Sequence, residues 1–540
     1  MSLFNVVNDQ AQFDAASNVS SDVHGAGIRF TQAGAARVTT TAGTFFNQGI
    51  PMSDSGQVAI VDATAGLPSD TVYLNGLPIS ANRVCVSRNA RSVVSNGLPF
   101  DSNGAIAGAI NFDLNFIGTD TLDPQVTFTR ASTATFFNSA GVLTSAATNA
   151  PRFDYNPSTL AAQGLLIEEA RTNSVLQSEA FNTLANWSTN NSSITANAVN
   201  SPAATLTADQ ITEDSATAYH SVSQSGIAFT SGTAYTFSVF AKANSRSILQ
   251  ITPGTGAFSA GPYANFNLST GVVSATGGGA SATIQNCGNG WYRCTMTATA
   301  DATVSAFIFF VMQTSGTAVR LQNYLGDGAS NLYLWGAQVE AGAFPTSYIP
   351  TTTTALTRSA DVASVNTLSP WYNSVAGTLY GEFAVPQVGR AGRVVAIDDG
   401  SITNMMDITI SATNTLAIEA IAAGVYGGFA GAIGTVSAST TQKTAATYST
   451  SASETISLNA GPVGSNNVTL PSASLTRMLL GRQDNGAATL CGWLRRLTYY
   501  PRVLTNAELR QITLPTGATI TTQDYSFDSN FTGNTVAIGS

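Results

Sequence analysis

Short runs of alternating or wholly apolar residues recur along the chain, and helical periodicity is nearly absent. Typical runs are AYTFSVFAK at 234–242, AFIFFVMQ at 306–313 and MMDITIS at 405–411. Runs of this length and pattern predict β-strands, and the clusters of Gly, Asn and Ser between them predict tight turns. Many short strands joined by such turns are typical of β-sandwiches, so we predict an all-β protein.

Two segments predict particular elements. TATFFNSAGVLTS at 133–145 predicts a hairpin that turns at Asn138 to Gly141. LYLWGAQVEAG at 332–342 predicts a strand that is covered on both faces, because it is nearly all apolar. Strict alternation would place Leu332, Leu334, Gly336 and Gln338 on one face and Tyr333, Trp335, Ala337 and Val339 on the other.

One segment departs from this pattern. LTNAELRQI at 504–512 predicts a helix, because Thr505 and Glu508 have the spacing of a capping box. Leu504, Leu509 and Ile512 would form the apolar face of that helix.

The first block of the chain contains a repeat. YLNGLPISANRVCVS at 73–87 and VSNGLPFDSNGAIAG at 94–108 share a Gly-Leu-Pro corner, and FNQGIPMSDSGQVAIV at 46–61 is a looser copy. Each copy predicts a strand, a turn and a second strand, a unit too small to bury its own apolar face. Such a unit needs neighbours, either along the chain or from other copies of the chain. We expect the repeat to wind with other copies into a homotrimer, with its corners at Gly76, Pro78, Gly97 and Pro99.

Composition limits the classes of function. Charged residues make up 10% of the chain and the formal net charge is −9, so there is no basic surface for nucleic acid. Hydrophobic residues make up 44%, which is enough for packed cores. A polar surface with few charges and only two lysines, Lys242 and Lys443, suits a protein exposed outside cells.

The start of the chain, MSLFNVVNDQ, lacks the basic start and apolar core of a secretory signal. AIAAGVYGGFAGAIGTV at 420–436 is uncharged, but it is short for a membrane span and contains five glycines. We expect glycine-rich strands and turns there, and no membrane insertion.

Residues that carry chemistry are few and scattered. The four cysteines are too sparse for a disulfide framework. Cys287 and Cys294 flank a turn and suit either a local bridge or two buried thiols. His24 and His220 lie in unrelated blocks, so the sequence predicts neither a catalytic triad nor a metal-binding cluster.

Glu168 and Glu169 are the best carboxylate pair. Adjacent residues of a strand point to opposite faces, so they cannot flank one glycosidic bond. We expect one of them to pair with Arg171, and we expect no enzymatic activity.

Two kinds of ligand remain open. Turns at Asp327 and at Asp398 and Asp399 offer oxygens to calcium, although such a site needs six or more of them; no other cofactor is indicated. Glycans bind through exposed aromatic rings, and the aromatic residues near turns are Trp187, Tyr263, Trp291 and Tyr292. Burial in a core is the competing and preferred interpretation of each of the four, and Trp335 and Trp493 are interpreted as core residues.

Five segments of the middle block occur in a characteristic order: FTRASTATFFNSAGVL (128–143), PRFDY (151–155), GLLIEEARTN (164–173), GWYRCTMT (290–297) and YLWGAQVEAGAFPTSYIPT (333–351). Together they resemble the lectin-like modules of tailed-bacteriophage tail fibres, head fibres and other adhesins. TLYGEFAV (378–385), LLGRQ (479–483) and WLRRLTYYPRVLTNAELRQIT (493–513) resemble a concanavalin A-like or laminin G-like domain.

These resemblances imply an N-terminal β-repeat anchor followed by two antiparallel β-sandwiches, a jelly roll and a concanavalin A-like domain. The expected boundaries are 1–115 for the anchor, 116–360 and 361–515 for the sandwiches and 516–540 for a polar tail. The implied function is that of a virion fibre or adhesin on the exterior of a phage particle. It would bind other virion proteins through the N-terminal region and host-surface glycans through the sandwiches.

Two alternatives stay open. The first is a capsid decoration or bracing protein without receptor binding. The second is a glycan-degrading tailspike, which would need clustered carboxylates, whereas the acidic residues here are scattered. The sequence does not separate attachment at the head from attachment at the tail.

Overall fold

The computed structural model describes residues 112–472 and 474–516 in full. N-terminal to them it assigns only the backbone of short strands, such as Val72–Leu74, which pairs antiparallel with Leu77–Ile79. The polar tail and the anchor corners lie outside the fully described residues, so the anchor and the trimer stay predictions. Those corners are Gly76, Pro78, Gly97 and Pro99.

The described residues form an all-β protein, as predicted, and every strand pairing among them is antiparallel. The one helix in this part of the chain is Asn506–Ile512. Its capping box is confirmed, because the Thr505 side chain accepts from the Glu508 backbone and the Glu508 side chain accepts from the Thr505 backbone. Leu504, Leu509 and Ile512 are buried together on one side.

Two large sheets, A and B, enclose one core and form the outer sandwich. That core unites Phe383 and Leu494 of sheet A with Ile408 and Ile418 of sheet B. Sheet A has the order Phe153–Tyr155, Ala162–Ile167, Gly492–Tyr500, Ala376–Ala384, Gln442–Ser449, Glu454–Leu458 and Gly464–Asn466, and Phe112–Asn115 also pairs with Gly492–Tyr500. Sheet B has the order Val126–Thr129, Val362–Val365, Arg477–Leu480, Gly392–Asp398, Met405–Ile410, Leu416–Ala422 and Val425–Gly431.

Two further sheets, C and D, enclose a second core and form the inserted sandwich. That core unites Val222 and Phe310 of sheet C with Phe237 and Met296 of sheet D. Sheet C has the order Trp187–Asn190, His220–Phe229, Val304–Gln313, Ile248–Pro253, Tyr263–Asn267 and Val272–Gly277. Sheet D has the order Ser192–Asn200, Leu206–Glu213, Asn331–Ala341, Ala234–Ala243, Trp291–Thr299 and Ser281–Asn286.

The strand pairing does not follow the predicted boundary between 116–360 and 361–515. Phe112–Asn115 and Ala162–Ile167 both pair with Gly492–Tyr500, and Val126–Thr129 pairs with Val362–Val365. The outer sandwich is therefore built from two pieces of chain, and the other sandwich is inserted between them. The sequence did not reveal this division, because pairing partners more than 200 residues apart leave no local signal.

The chain enters and leaves the inserted sandwich side by side. Arg171–Asn173 pairs antiparallel with Leu356–Arg358. Two other short ribbons are present: the predicted hairpin of Ala134–Phe137 with Leu143–Ala146, and Thr217–Ala218 with Tyr324–Leu325. In the hairpin turn Gly141 has a φ of 72°, as expected for a glycine there.

The strand Asn331–Ala341 is buried on both sides, as predicted, but its faces differ from the prediction. We expected strict alternation to place Leu332, Leu334, Gly336 and Gln338 on one face and Tyr333, Trp335, Ala337 and Val339 on the other. In the structure Leu332 and Leu334 share a core with Ala337 and Val339. The alternation shifts because Gly336 has a φ of 63° and the register slips beside it, as in a β-bulge.

Candidate functional site

The two tryptophans proposed as glycan contacts are core residues. Trp187 has no exposed surface, packs with its ring centroid 4.5 Å from that of Phe181, and donates its indole N–H to the Gln177 carbonyl. Trp291 is 2% exposed and donates its indole N–H to the Asn200 carbonyl. The preferred interpretation, burial, is the one that the structure shows for Trp187, whose ring belongs to the core of the inserted sandwich. Trp291 presents no more than an edge to the surface.

The two tyrosines proposed as glycan contacts are half-buried. The Tyr292 ring covers Gly271, where a Cβ would lie 2.7 Å from the ring. The Tyr263 ring covers Gly277 in the same way, at 2.3 Å. Each ring therefore uses one face to pack on backbone. Of the residues assigned to cores, Trp335 is buried as predicted, whereas Trp493 is half-buried and donates its indole N–H to Asp154.

The three aspartates proposed for calcium bind protein groups. Asp398 is buried and accepts from the Arg477 guanidinium, while Asp399 accepts from Ser401 and Asn404. Asp327 is exposed and caps its own turn at Ala329 and Ser330. Within 112–472 and 474–516, no three carboxylate, histidine or cysteine side chains form a metal-binding group. Cys287 and Cys294 are buried free thiols rather than a bridge.

The two carboxylates of the pair separate, although both residues lie just beyond the end of the strand Ala162–Ile167 and not on a strand as predicted. Glu169 pairs with Arg171 at 2.6 Å, as expected, whereas Glu168 is buried and contacts Arg152 at 2.8 Å and Arg358 at 3.5 Å. Burial by itself raises the pKa of Glu168, but the attraction of Arg358 and Arg152 outweighs it and lowers that pKa to about 2.

Glu168 belongs to a buried charge network where the two sandwiches join. Asp361 accepts from Arg130 at 3.1 Å and from Arg152 at 2.5 Å, and all three side chains are fully buried. Arg130, Arg152 and Glu168 come from the segments that carried the resemblance to phage adhesins. Arg358 ends the strand Leu356–Arg358, and Asp361 follows that strand. Their arrangement indicates a structural joint and not a ligand site.

A different surface combines exposed rings with charges. The edge strand Val425–Gly431 of sheet B exposes 55% of Tyr426 and 47% of Phe429. Phe429 lies opposite Glu419, and Glu419 lies opposite Asp407 on the next strand. Opposite residues of paired strands share a face, and this face points away from the core that holds Ile408 and Ile418.

Arg393 joins the charged residues of this face. Its guanidinium contacts Asp407 at 2.5 Å and Glu419 at 2.8 Å, and the Tyr426 hydroxyl also reaches Glu419. Asp407 is fully buried beneath them, and one of its carboxylate oxygens has no hydrogen-bond partner among the described residues. Burial raises the pKa of Asp407 to about 8, since the attraction of Arg393 is opposed by the negative charge of Glu419. We call this surface the aromatic face; it consists of Arg393, Asp407, Glu419, Tyr426 and Phe429.

The aromatic face offers the two groups that recognise a sugar. Exposed rings pack against the apolar C–H side of a pyranose, and a planar guanidinium with a carboxylate binds its hydroxyls. The sequence did predict strands in 420–436, but it did not single out Tyr426 or Phe429. Two aromatic residues in an uncharged glycine-rich segment were the available signal.

No helix among the described residues is long and apolar enough to cross a bilayer. The uncharged segment 420–436 forms parts of two paired strands, Leu416–Ala422 and Val425–Gly431.

His220 is buried, and its Nδ1 lies 2.6 Å from the Asn191 carbonyl.

No protein-family model matches the sequence, and no curated protein does. Among solved structures, one neighbour is the carbohydrate-binding module CBM40 of the Ruminococcus gnavus IT-sialidase, solved with and without α2,3-sialyllactose. It is 13% identical in sequence to this chain. The match covers 26% of this chain and 83% of that one, with a TM-score of 0.22. Domains LG4-5 of the mouse laminin α1 chain are 9% identical in sequence. That match covers 62% of this chain and 88% of the laminin chain, with a TM-score of 0.20. Both neighbours are weak, and scores this low do not establish a shared function.

Proposed function

We propose that this protein binds carbohydrate without transforming it, and that the aromatic face is the contact surface. The observation that carries the proposal is the exposure of Tyr426 and Phe429 directly beside the Arg393 and Glu419 ion pair. Neighbouring exposed aromatic side chains that are rimmed by polar groups often mark an interaction surface, and here the two rings flank charged groups that are already oriented by one another.

The charged groups of the aromatic face are held before any ligand arrives. Arg393 is fixed by Asp407 below it and by Glu419 beside it, so little side-chain entropy is lost when a hydroxyl binds. The buried position of Asp407 beneath Arg393 argues against a role in bond cleavage, because a catalytic acid must reach its substrate.

A glycan array probed with the full chain tests the proposal. We expect the double variant Tyr426→Ala with Phe429→Ala to lose at least about tenfold in affinity for the glycans that the wild type binds. Phe307→Ala is the matched control, because Phe307 is 44% exposed but lies on the inserted sandwich.

Four results are informative. Loss in the double variant with an unchanged control supports the aromatic face. Equal binding by all three proteins contradicts it, and loss only in Phe307→Ala assigns binding to the inserted sandwich instead. Release of reducing ends from a bound polysaccharide would show a glycan-degrading spike.

The resemblance of the middle and C-terminal segments to phage adhesins supports a more specific role. We propose a structural fibre or adhesin on the exterior of a tailed-phage particle, anchored to other virion proteins by residues 1–115 and assembled as a homotrimer. The described residues lie distal to that anchor in sequence and include the aromatic face.

Truncation and mass measurement test this role. Deleting 1–115 should release the protein from particles, whereas deleting 361–540 should leave the N-terminal anchor attached to them. Normal copy number of the 116–540 protein on virions would refute the anchor, and a monomeric mass of the intact chain in light scattering would refute the trimer. A particle-bound protein that binds no glycan would indicate the bracing role.

A further inference from the structure

A cleft of about 370 Å³ opens beside Trp291 on the inserted sandwich. Its walls come from the hairpin tip at Gly141 and Val142, the turn at 199–204 and the turn at 287–291. The hairpin is tied to the second wall, since the Leu143 N–H donates to the Pro202 carbonyl at 3.0 Å. The volume lies near the lower end of the range for small-molecule sites, roughly 300–1,000 Å³.

Lys242 gives this cleft its electrostatic character. It is the single charged residue of the lining, which contains no carboxylate, although the whole chain carries a net charge of −9. No acidic side chain among the described residues forms an ion pair with Lys242. Cys287, also in the lining, adds no negative charge because burial raises the pKa of its thiol to about 12.

The position of Lys242 is set by the sheet. It lies opposite Trp291 in the antiparallel register, and its aliphatic stem covers Gly290, where a Cβ would lie 3.3 Å from Cε. This packing restricts the side chain and holds the ammonium group at the cleft. Asn200 and Asn289 are exposed in the lining and offer amide groups to hydroxyls.

We propose that this cleft binds one anionic sugar unit, whose carboxylate pairs with the Lys242 ammonium group and whose hydroxyls bind Asn200 and Asn289. A single cation without a competing carboxylate favours a ligand with one negative charge, and the amide groups favour a hydroxylated one. This site is on the other sandwich from the aromatic face and does not depend on it.

Calorimetric titration of the full chain with glucuronate tests the proposal, with glucose as the uncharged sugar of the same ring size. We expect millimolar binding of glucuronate that weakens with salt, and at least about tenfold weaker binding of glucose. Lys242→Met, which keeps the stem over Gly290, should lose glucuronate binding at least about tenfold, and Lys242→Arg should retain it within a few-fold.

Lys443→Met is the matched control, because it removes the other lysine of the chain from the outer sandwich and should leave glucuronate binding unchanged. The double variant of Tyr426 and Phe429 should also bind glucuronate normally, which separates this site from the proposed function. Equal glucuronate binding by wild type and a folded Lys242→Met protein would overturn the proposal. No detectable glucuronate binding, or equal affinity for glucose, would overturn it as well.

Discussion

The two sandwiches have similar layers but different origins in the chain. The inserted sandwich takes all twelve strands of sheets C and D from residues 187–341. The outer sandwich takes its strands from 112–167 and from 362–500, on either side of the insertion. One core is thus local in sequence and the other is not, so only the first can form from a continuous fragment that contains its own sandwich alone.

Their aromatic residues differ as well. In the inserted sandwich Trp187 and Trp291 are buried, because bulky neighbours such as Phe181 and Phe240 pack around them. In the outer sandwich Tyr426 and Phe429 are exposed on a strand whose other residues are mostly glycine, alanine and valine. Exposure is thus decided by the size of neighbouring side chains and not by the type of aromatic residue.

The largest expected effect is on the ability of each sandwich to fold as an isolated fragment. A fragment of residues 174–351 should fold alone, whereas a fragment of 361–516 should not, because it lacks the strands that pair with Gly492–Tyr500 and Val362–Val365. Far-UV circular dichroism with a thermal scan measures this, and the fragment 112–516 is the control. A cooperative transition in 361–516 would show that the first strands are dispensable.

The next effect concerns the joint between the sandwiches. Asp361→Ala should lower the free energy of unfolding by about 3–5 kcal/mol, because it leaves Arg130 and Arg152 buried without their common partner. Denaturant titration measures the change. Asp120→Ala, at an exposed aspartate, should change stability by less than about 0.5 kcal/mol. Similar values for the two variants would show that the joint network contributes little.

The smallest effect is a pH dependence of the outer sandwich. The pKa of Asp407 is about 8 in the folded protein against 3.8 for an ordinary aspartate, so the folded state retains a proton that the unfolded state releases. The stability that this proton contributes is fully present below about pH 4 and is lost as pH rises toward 8.

Asp407→Asn should remove this pH dependence of the unfolding free energy. The difference in unfolding free energy between variant and wild type should therefore change with pH between about 4 and 8. Denaturant titrations across this window measure it, with Asp120→Asn as the exposed control. A constant difference at all pH values would mean that Asp407 keeps an ordinary pKa beneath Arg393.

Local pattern was enough for much of the fold. Alternation and turn residues predicted the all-β class, the hairpin around Asn138 and Gly141, and the strand at 331–341, while the Thr505 and Glu508 spacing predicted the helix cap. These features depend on interactions between residues that are close together in sequence, so a short segment is enough to predict them.

The tertiary structure alone decided what depends on distant partners. Arg152 and Asp361 lie 209 positions apart, so no spacing rule relates them. The shift of faces at Gly336 required the neighbouring strand, since a glycine can alternate normally or form a bulge with equal ease. The same holds for the surfaces: the sequence supplied the aromatic residues, but burial of Trp187 and exposure of Tyr426 were settled by which side chains the fold packed beside them.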